Sequence, residues 1–400
     1  MKAVFALAAL AALASIANAT VSIETVFTIP LPVGPSQTEF ATALSGNTYY
    51  TVGAGGKLFA VNLTSQSVAW SKAFDGDAIS ALNAFDNVVF VTTMGGSTIA
   101  LNPDGTLAWV SDLVSVSSDP ARNKVIGSTL YTINEVTGYY TAFDITTGNV
   151  ISSKVVNSGV FVGTDEVILN MGGGFGGGPT YLEAYNMTTS TKLWTLNNVG
   201  AYLTASNDYL LVSNVSAQDS TDVLVYDHST MTLKRTLHAM GGVVSNGFPT
   251  TVHGGKALML LGKQTLRLAL YDLVTGYETW SEFVGTNTGS GKTAVLDVGN
   301  SLVTLIGLTL SSLNTTTWQK TLSIPNVPTD SKGSLSYLGD GILMAGNLQG
   351  YTVWDIQAGQ LLSRNEHSPG ASGGKAKTWT NGIMVSTDGA AVIGTKVVRS

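Results

Sequence analysis

Cysteine is absent from this chain of 400 residues. Its absence excludes disulfide bridges, thiolate metal sites, a nucleophilic cysteine and a lipidated cysteine at the amino terminus. Stability must therefore come from buried apolar surface and from hydrogen bonding between strands. A long chain can supply both, since roughly 75% of the unfolded surface is buried when about 300 residues fold.

Charge is also scarce. Only 12% of the residues are charged, against roughly 25% in typical soluble proteins. The formal net charge is -6, and the 20 Lys and Arg residues are scattered along the chain. A nucleic-acid-binding protein needs a clustered basic surface, so no nucleic-acid partner is predicted.

Long apolar runs are missing after the first nineteen residues. Those residues combine a basic start at Lys2, an apolar stretch over 4–16 and small residues at Ala17 and Ala19. This pattern predicts a secretory signal peptide at 1–19 and a mature domain at 20–400. No later segment approaches about 18 uninterrupted apolar residues, so no transmembrane segment is predicted. We expect a monomer that is secreted, or periplasmic if the source is bacterial.

One sequence motif recurs eight times along the chain. It is a short apolar strand that ends in Asn or Asp, then a polar turn, then a second strand that often carries Trp. The anchor residues that end the first strand are Asn62, Asn102, Asp144, Asn186, Asp227, Asp272, Asn314 and Asp355. Successive anchors lie 40 to 45 residues apart. A period in this range, with four short strands per repeat, predicts an all-β propeller of four-stranded antiparallel blades.

The anchor residue type has a physical reason. Asn and Asp side chains can hydrogen-bond the backbone two residues further on and so close a turn. Between the anchors, short segments rich in β-branched and aromatic residues are typical of strands. No window of the mature chain has the period of an amphipathic helix.

The number of blades depends on the chain ends. Eight blades are the preferred prediction, because propellers typically have four to eight. Nine is the alternative, since 377–382, 383–388 and 390–395 read as three further strands and 24–30 reads as an unpartnered outer strand. In either case we expect the amino- and carboxyl-terminal strands to pair and close the ring.

The apolar strand, Asp, Thr-Gly turn and Trp together resemble the pyrroloquinoline-quinone repeat family. The best matches are at 142–148, 270–280 and 353–359. The family holds quinone-dependent dehydrogenases and noncatalytic propellers such as the bacterial outer-membrane assembly scaffold. The resemblance implies that one Trp per repeat docks neighbouring blades, here Trp70, Trp109, Trp194, Trp280 and Trp318. Ser152, Arg235 and Ser363 stand where Trp is expected, which implies looser docking there.

The family's enzymes hold the quinone in the axial channel beside calcium, with an acidic base and often a disulfide of adjacent cysteines. The disulfide is impossible here, and no acidic and basic set stands out at the strands that would line the channel. We therefore predict no catalytic residue, no metal and no cofactor, with pyrroloquinoline quinone and calcium as the alternative. Asp75 and Asp77 offer two carboxylates, fewer than the six to eight oxygens that calcium takes.

Two further segments resemble functional motifs in sequence but lack the structural context that those motifs require. The segment 285–293 lacks a glycine that a phosphate-binding loop requires, and a strand pattern follows it instead of a helix. Gly370–Gly374 matches a nucleophile elbow but lacks the strand-to-helix context. The four histidines, at 228, 238, 253 and 367, have no metal-ligand spacing and are interpreted as loop residues.

Four sequons for N-glycosylation lie in the mature chain, at Asn62, Asn186, Asn214 and Asn314. Three of them are anchor residues, whose turns should be accessible to a glycan.

Three functions remain open from the sequence. The first is a noncatalytic binding scaffold with a protein or carbohydrate partner. The second is a quinone- or calcium-dependent oxidoreductase with its site in the axial channel. The third is a cell-wall or matrix component, which the low charge and the abundant Ser, Thr and Gly favour.

Overall fold

The structure is a computed structural model. It describes residues 21–32, 41–53, 56–74, 79–93, 95–112, 114, 116–117, 122–134, 138–172, 180–197, 199–214, 222–239, 250–262, 265–286, 293–306, 309–325, 327, 334–339, 341–347, 350–357, 359–366, 377–378, 383–387 and 390–399. These residues form strands and turns and no α-helix. In that part of the chain, no helix has the length and apolar character needed to cross a membrane.

The described residues contain thirty-six strands, which form nine four-stranded antiparallel sheets, the blades of a propeller. The first three blades contain β2 Thr42–Ser45, β3 Thr48–Val52, β4 Leu58–Asn62 and β5 Ser67–Lys72; β6 Ile79–Phe85, β7 Val88–Thr93, β8 Thr98–Leu101 and β9 Leu107–Ser111; and β10 Asn123–Ile126, β11 Thr129–Asn134, β12 Tyr139–Asp144 and β13 Val150–Val155.

The next three blades continue the same order of strands. They contain β14 Ser158–Val162, β15 Glu166–Gly172, β16 Thr180–Asn186 and β17 Lys192–Asn197; β18 Val199–Ala205, β19 Tyr209–Asn214, β20 Asp222–Asp227 and β21 Leu233–His238; and β22 Thr251–His253, β23 Lys256–Leu261, β24 Thr265–Asp272 and β25 Glu278–Thr286.

The last three blades include both chain ends. They contain β26 Thr293–Val298, β27 Ser301–Ile306, β28 Thr309–Asn314 and β29 Lys320–Ile324; β30 Ser334–Gly339, β31 Ile342–Asn347, β32 Gly350–Asp355 and β33 Gln360–Glu366; and β34 Lys377–Thr378, β35 Met384–Thr387 and β36 Ala391–Arg399 with β1 Val21–Pro30.

The ninth blade joins the two ends of the chain. Strand β1 pairs antiparallel with β36 along nearly its whole length, from Val21 opposite Arg399 to Pro30 opposite Ala391. The predicted pairing of terminal strands is therefore confirmed. The structure has the alternative count of nine blades rather than the preferred eight. The ninth blade has no anchor turn because its third and fourth strands, β36 and β1, come from opposite ends of the sequence.

The burial pattern follows the position of each strand in its blade. Second and third strands such as β11 and β12 are buried on both faces, because each sheet packs against a neighbour on either side. Fourth strands such as β13 and β17 alternate between exposed and half-buried residues. First strands of neighbouring blades approach one another, as β2 and β6 do, which places them nearest the axis.

The core is divided among the joints between blades. One apolar cluster fills each of eight joints, from the ninth–first joint to the seventh–eighth. The ninth–first cluster contains Phe27 and Ile29 of β1 together with Tyr49 and Phe59 of the first blade. At the remaining joint, β1 lies against β33. Burial therefore continues across the chain ends and closes the ring.

Candidate functional site

The anchor residues close the turn between the third and fourth strands of their blades. The Oδ1 atom of Asp144 accepts the backbone N–H groups of Thr146 and Thr147 at 3.0 and 2.8 Å. These bonds, chiefly the one from Thr147, favour the charged carboxylate and lower the pKa of Asp144. The same pair of bonds recurs at Asn62, Asp227, Asp272 and Asn314. The predicted turn chemistry is confirmed at these anchors.

Trp70 and Trp109 reach from the outer strand of one blade to the anchor turn of the next. The Nε1–H of Trp109 donates to the Ile145 carbonyl at 2.8 Å, and the indole meets Phe143 edge-on at 5.7 Å. The Nε1–H of Trp70 donates to the Pro103 carbonyl at 2.7 Å. Each indole therefore combines apolar contact with one directed hydrogen bond across a joint.

A turn glycine lies under each of these indoles. Gly148 has φ of +73°, and a Cβ atom there would lie 2.6 Å from Cδ2 of Trp109. Gly105 has φ of +84°, and its Cβ would lie 2.8 Å from the same atom of Trp70. Glycine adopts this left-handed backbone without strain, and at both positions its lack of a Cβ atom leaves the space that the indole takes.

The substitution Gly148→Ala should therefore lower the unfolding free energy by more than the strain of a left-handed alanine alone. Gly127 is the matched control, with φ of +59° and no atom within 4 Å of the position that an alanine Cβ would take. We expect Gly127→Ala to cost about 1 kcal/mol of unfolding free energy, and Gly148→Ala about 1–3 kcal/mol more because the indole must move. Urea unfolding of both variants measures this, and equal penalties would contradict the close contact.

The other three tryptophans differ in position. Trp194 faces the ring of His228 in the fifth blade at 6.3 Å, edge to face. Trp280 lies half-buried in the cluster of the sixth–seventh joint. Trp318 is not on an outer strand: it is the fourth residue after Asn314, has φ of +56°, and its N–H donates to the Asn314 carbonyl at 2.7 Å.

Trp318 thus holds the turn position that Gly148 holds in the third blade. The position of Trp280 relative to its anchor is taken in the seventh blade by Leu322, on β29. A Cβ atom on Gly359 would lie 2.8 Å from Leu322, so this leucine lies against the next turn. The sequence signal for this assignment is the offset between anchor and Trp, which is eight residues for Trp70, Trp194 and Trp280 and seven for Trp109.

Arg235 and Ser152 are two of the three residues that stand where Trp was expected, and the structure describes the side chains of both. The Nη1 atom of Arg235 donates to the Thr275 carbonyl at 2.6 Å, and the side chain lies against Gly276 of the next turn. The joint between the fifth and sixth blades therefore keeps a contact to the next anchor turn, made by an arginine instead of an indole. Ser152 is half-buried on β13. The side chain of Ser363 lies outside the described part.

His228 forms a mostly buried pair with Glu166 across the fourth–fifth joint. Its Nε2 lies 3.1 Å from Oε1 of Glu166, and its Nδ1 lies 2.7 Å from the Ser206 carbonyl. Both neighbours are acceptors, so only the doubly protonated ring satisfies both. The hydrogen bond to Glu166, partly opposed by burial, accordingly raises the pKa of His228. The loop interpretation missed this partner because Glu166 is 62 residues away.

This pair predicts a pH-dependent contribution to stability. Because the pKa of His228 is raised in the folded state, the contribution is complete below its unfolded value of about 6.5 and is lost as the pH rises through the folded pKa. The substitution His228→Gln should therefore lower the unfolding free energy by about 1 kcal/mol more at about pH 5.5 than at about pH 9. Chemical denaturation at the two pH values measures the difference. An equal penalty at both would contradict a charged histidine.

The described innermost strands carry few charges. They contain a single carboxylate, Asp297, which lies 3.7 Å from Nδ1 of His253, and two lysines, Lys124 and Lys377. Among the residues that the structure describes, no group of three His, Cys, Asp or Glu side chains is placed to hold a metal ion.

The sequon residues on the anchor turns are engaged in bonding. Asn62 and Asn314 use Oδ1 to cap their turns, and Asn186 also donates its Nδ2–H to Asp165 at 2.7 Å. Asn214 ends strand β19. Glycosylation at these four residues stays a prediction.

Several sequence predictions concern residues outside the described part. They are the signal peptide at 1–19, the pair Asp75 and Asp77, most of the 285–293 segment, Gly370–Gly374 and His367.

One group of exposed apolar side chains lies on the outer wall of the third blade. We call Tyr139, Val150, Ile151 and Val155 the outer apolar patch; they are 46%, 38%, 56% and 67% exposed. Tyr139 and Val155 are cross-strand partners. Ile151 lies at a β-bulge, since the pairing of β12 with β13 shifts between Ala142 and Phe143, and its side chain is exposed like that of Val155 on the same strand. Strand β13 is also the last in its sheet, so among the residues that the structure describes none pairs with its outer edge.

The comparisons with known proteins agree with this architecture. A family model of pyrroloquinoline-quinone-like repeats, described as "Outer membrane protein assembly factor BamB", matches residues 19–167. The resemblance found in the sequence is thereby confirmed over those residues. The search of curated proteins finds no match.

Two solved structures show the same fold. The crystal structure of BamB from Moraxella catarrhalis aligns with a TM-score of 0.56 at 16% identity, covering 94% of this chain and 99% of that one. The crystal structure of the computationally designed Ika8 protein aligns with a TM-score of 0.54 at 18% identity, covering 80% and 96%. The chain thus shares its overall fold with these two structures, and its residues 19–167 match the repeat model.

Proposed function

We propose that this protein is a noncatalytic scaffold outside the cytoplasm that binds a protein partner on its outer wall. The observation that carries the proposal is the outer apolar patch on the third blade. Side chains this exposed and this apolar, gathered on one strand pair, mark interaction surfaces in soluble proteins. The match to a family of outer-membrane assembly factors supports a protein as the partner, and residues 1–19 support export.

The edge of β13 determines what kind of partner segment fits. On the carboxyl-terminal side of the bulge at Ile151, its outward backbone N–H and C=O groups can pair with an added strand, while the exposed Ile151 and Val155 offer apolar contacts. Strand addition gains affinity from main-chain hydrogen bonds and specificity from alternate side chains. The proposed occupant is an extended segment of a partner protein with apolar residues at alternate positions.

The test compares two double variants. Ile151→Lys with Val155→Lys removes the patch, whereas Leu193→Lys with Leu233→Lys places the same charges at 49% and 51% exposed leucines of other outer strands. Each protein, with a photocrosslinker next to the patch on Ser153, is exposed to the extracellular or periplasmic fraction of its source. A defined partner should crosslink to the wild type and the control and be lost from the patch variant.

Two results would overturn the proposal. One is crosslinking of the same protein to the patch variant with undiminished yield. The other is a change in the absorbance spectrum on adding pyrroloquinoline quinone and calcium, with dehydrogenase activity, which would favour the oxidoreductase.

A further inference from the structure

A cleft of about 430 Å³ lies between the fifth and sixth blades on the face of the anchor turns. This volume falls within the range of about 300–1,000 Å³ that small-molecule sites occupy. The cleft occurs at the joint where Arg235 replaces the docking indole. We call it the turn-face cleft.

The charges around the turn-face cleft are balanced in number. Asp208 and Asp227 line it together with Lys234 and Arg235. The Nζ of Lys234 lies 3.1 Å from Oδ2 of Asp227, with the two side chains 51% and 24% exposed. An ionic ligand would have to compete with this pair, whereas a neutral polar ligand leaves it intact.

Asp227 is a fixed part of this wall. Its Oδ1 accepts the hydroxyl of Ser229 at 2.7 Å and the backbone N–H of Thr230 at 3.0 Å. These bonds, with Ser229 first among them, hold the pKa of Asp227 far below its usual range, so the group is a carboxylate acceptor at any physiological pH. The turn therefore holds this acceptor in a set position.

The remaining wall offers further polar groups beside apolar ones. Asn207 contributes an amide and Tyr209 a phenol, and both line the cleft. Val274 of the next blade, which is 64% exposed, supplies apolar surface, and the buried Leu273 lies beside it. Donors and acceptors in similar number, beside an apolar strip, match a pyranose, whose hydroxyls both donate and accept and whose C–H face is apolar.

We propose that the turn-face cleft binds a neutral carbohydrate. The site is separate from the outer apolar patch, which lies on the third blade. Failure of the protein-binding proposal therefore leaves this one standing, and the reverse also holds.

The test is calorimetric titration of the full mature chain with neutral trisaccharides (maltotriose, cellotriose, chitotriose and mannotriose) and with an anionic control, trigalacturonic acid. Three variants locate the site. Arg235→Trp restores the docking indole and fills the cleft, while Lys234→Ala removes a lining donor. Lys192→Ala is the matched control, since Lys192 is also 51% exposed and paired with a carboxylate, on another blade.

At least one neutral trisaccharide should bind with a dissociation constant below about 1 mM. We expect Arg235→Trp to weaken binding by about tenfold or more, Lys234→Ala by about fivefold, and Lys192→Ala by less than about twofold. The unfolding midpoint of Arg235→Trp should stay at or above that of the wild type, which separates lost binding from lost folding.

Three results would overturn the proposal. They are no heat from any neutral trisaccharide at about 10 mM, binding that Arg235→Trp leaves unchanged, and preferential binding of the anionic sugar with a steep salt dependence. The last would identify an anion site instead.

Discussion

Removal of residues 21–31 should destabilise the protein by about 5–9 kcal/mol, since three side chains in this segment are buried and each contributes about 1.5–3 kcal/mol. They are Phe27, Ile29 and Leu31, which are 6%, 4% and 3% exposed in the cluster between the ninth and first blades. The loss rivals the whole unfolding free energy of a typical domain, about 5–15 kcal/mol. The shortened chain should therefore be mostly unfolded or open at the ninth blade.

The control for this deletion is a chain that begins at residue 20, which keeps β1 and removes only the predicted signal peptide. Guanidinium unfolding, followed by tryptophan fluorescence, gives both stabilities. A synthetic peptide of residues 20–32, added in trans, should restore part of the lost stability, and a scrambled peptide should not. If the deletion left the unfolding midpoint unchanged, β1 would not be part of the core.

The substitution Trp109→Ala should cost about 3–5 kcal/mol of unfolding free energy, the usual range for a buried large aromatic. Trp109 is 8% exposed and packs between Phe90 at 5.9 Å and Phe143 at 5.7 Å. Its loss leaves a cavity at the second–third joint and removes the hydrogen bond to Ile145. Both effects weaken the contact of one blade with the next.

Two neighbouring variants separate these effects. Trp109→Phe keeps an aromatic ring but removes the indole N–H, and should cost about 1–2 kcal/mol. Val110→Ala, at a residue that is 55% exposed on the same strand, should change stability by less than about 0.5 kcal/mol. Similar losses for Trp109→Ala and Val110→Ala would contradict the docking role of the indole.

The architecture was predictable because it is repeated. The Asn or Asp anchor recurs eight times with a turn after it, and five of the eight anchors close that turn with the same pair of bonds. Eight copies of a weak sequence signal together identify the propeller. The ninth blade was harder to assign, since β1 and β36 lie at opposite ends of the sequence and no anchor turn joins them. Strand patterns are visible at both ends of the sequence, but the recurring pattern of anchor, turn and outer strand is missing there.

Individual side chains at the joints were less predictable. Trp318 was assigned to docking from its residue type, and it does pack in the cluster of the sixth–seventh joint. It does so from a turn, a position that follows from its distance to Asn314. The pairing of His228 with Glu166 joins two blades, so no local pattern contains it. The departure at Arg235 is visible in the sequence, but the cleft beside it depends on how two sheets pack.

The outer apolar patch was also absent from the sequence-based predictions. Alternation along β13 indicates which residues share a face, but their exposure depends on how far neighbouring blades diverge at the rim. Val155 is 67% exposed although its residue type is typical of a core. Only the packed ring distinguishes it from Val156, which is 3% exposed in the cluster of the third–fourth joint.

A disulfide placed across the chain ends tests the closed nine-bladed ring most directly. Glu24 and Lys396 are exposed partners on β1 and β36, and the chain contains no other cysteine. If the ring closes as described, Glu24→Cys with Lys396→Cys should form an intramolecular disulfide in air, because facing residues lie within its reach, and should raise the unfolding midpoint. Thr28→Cys with Lys396→Cys, offset by about 13 Å along the strand, should not. Equal linkage in both pairs, or none in the first, would contradict the closed ring.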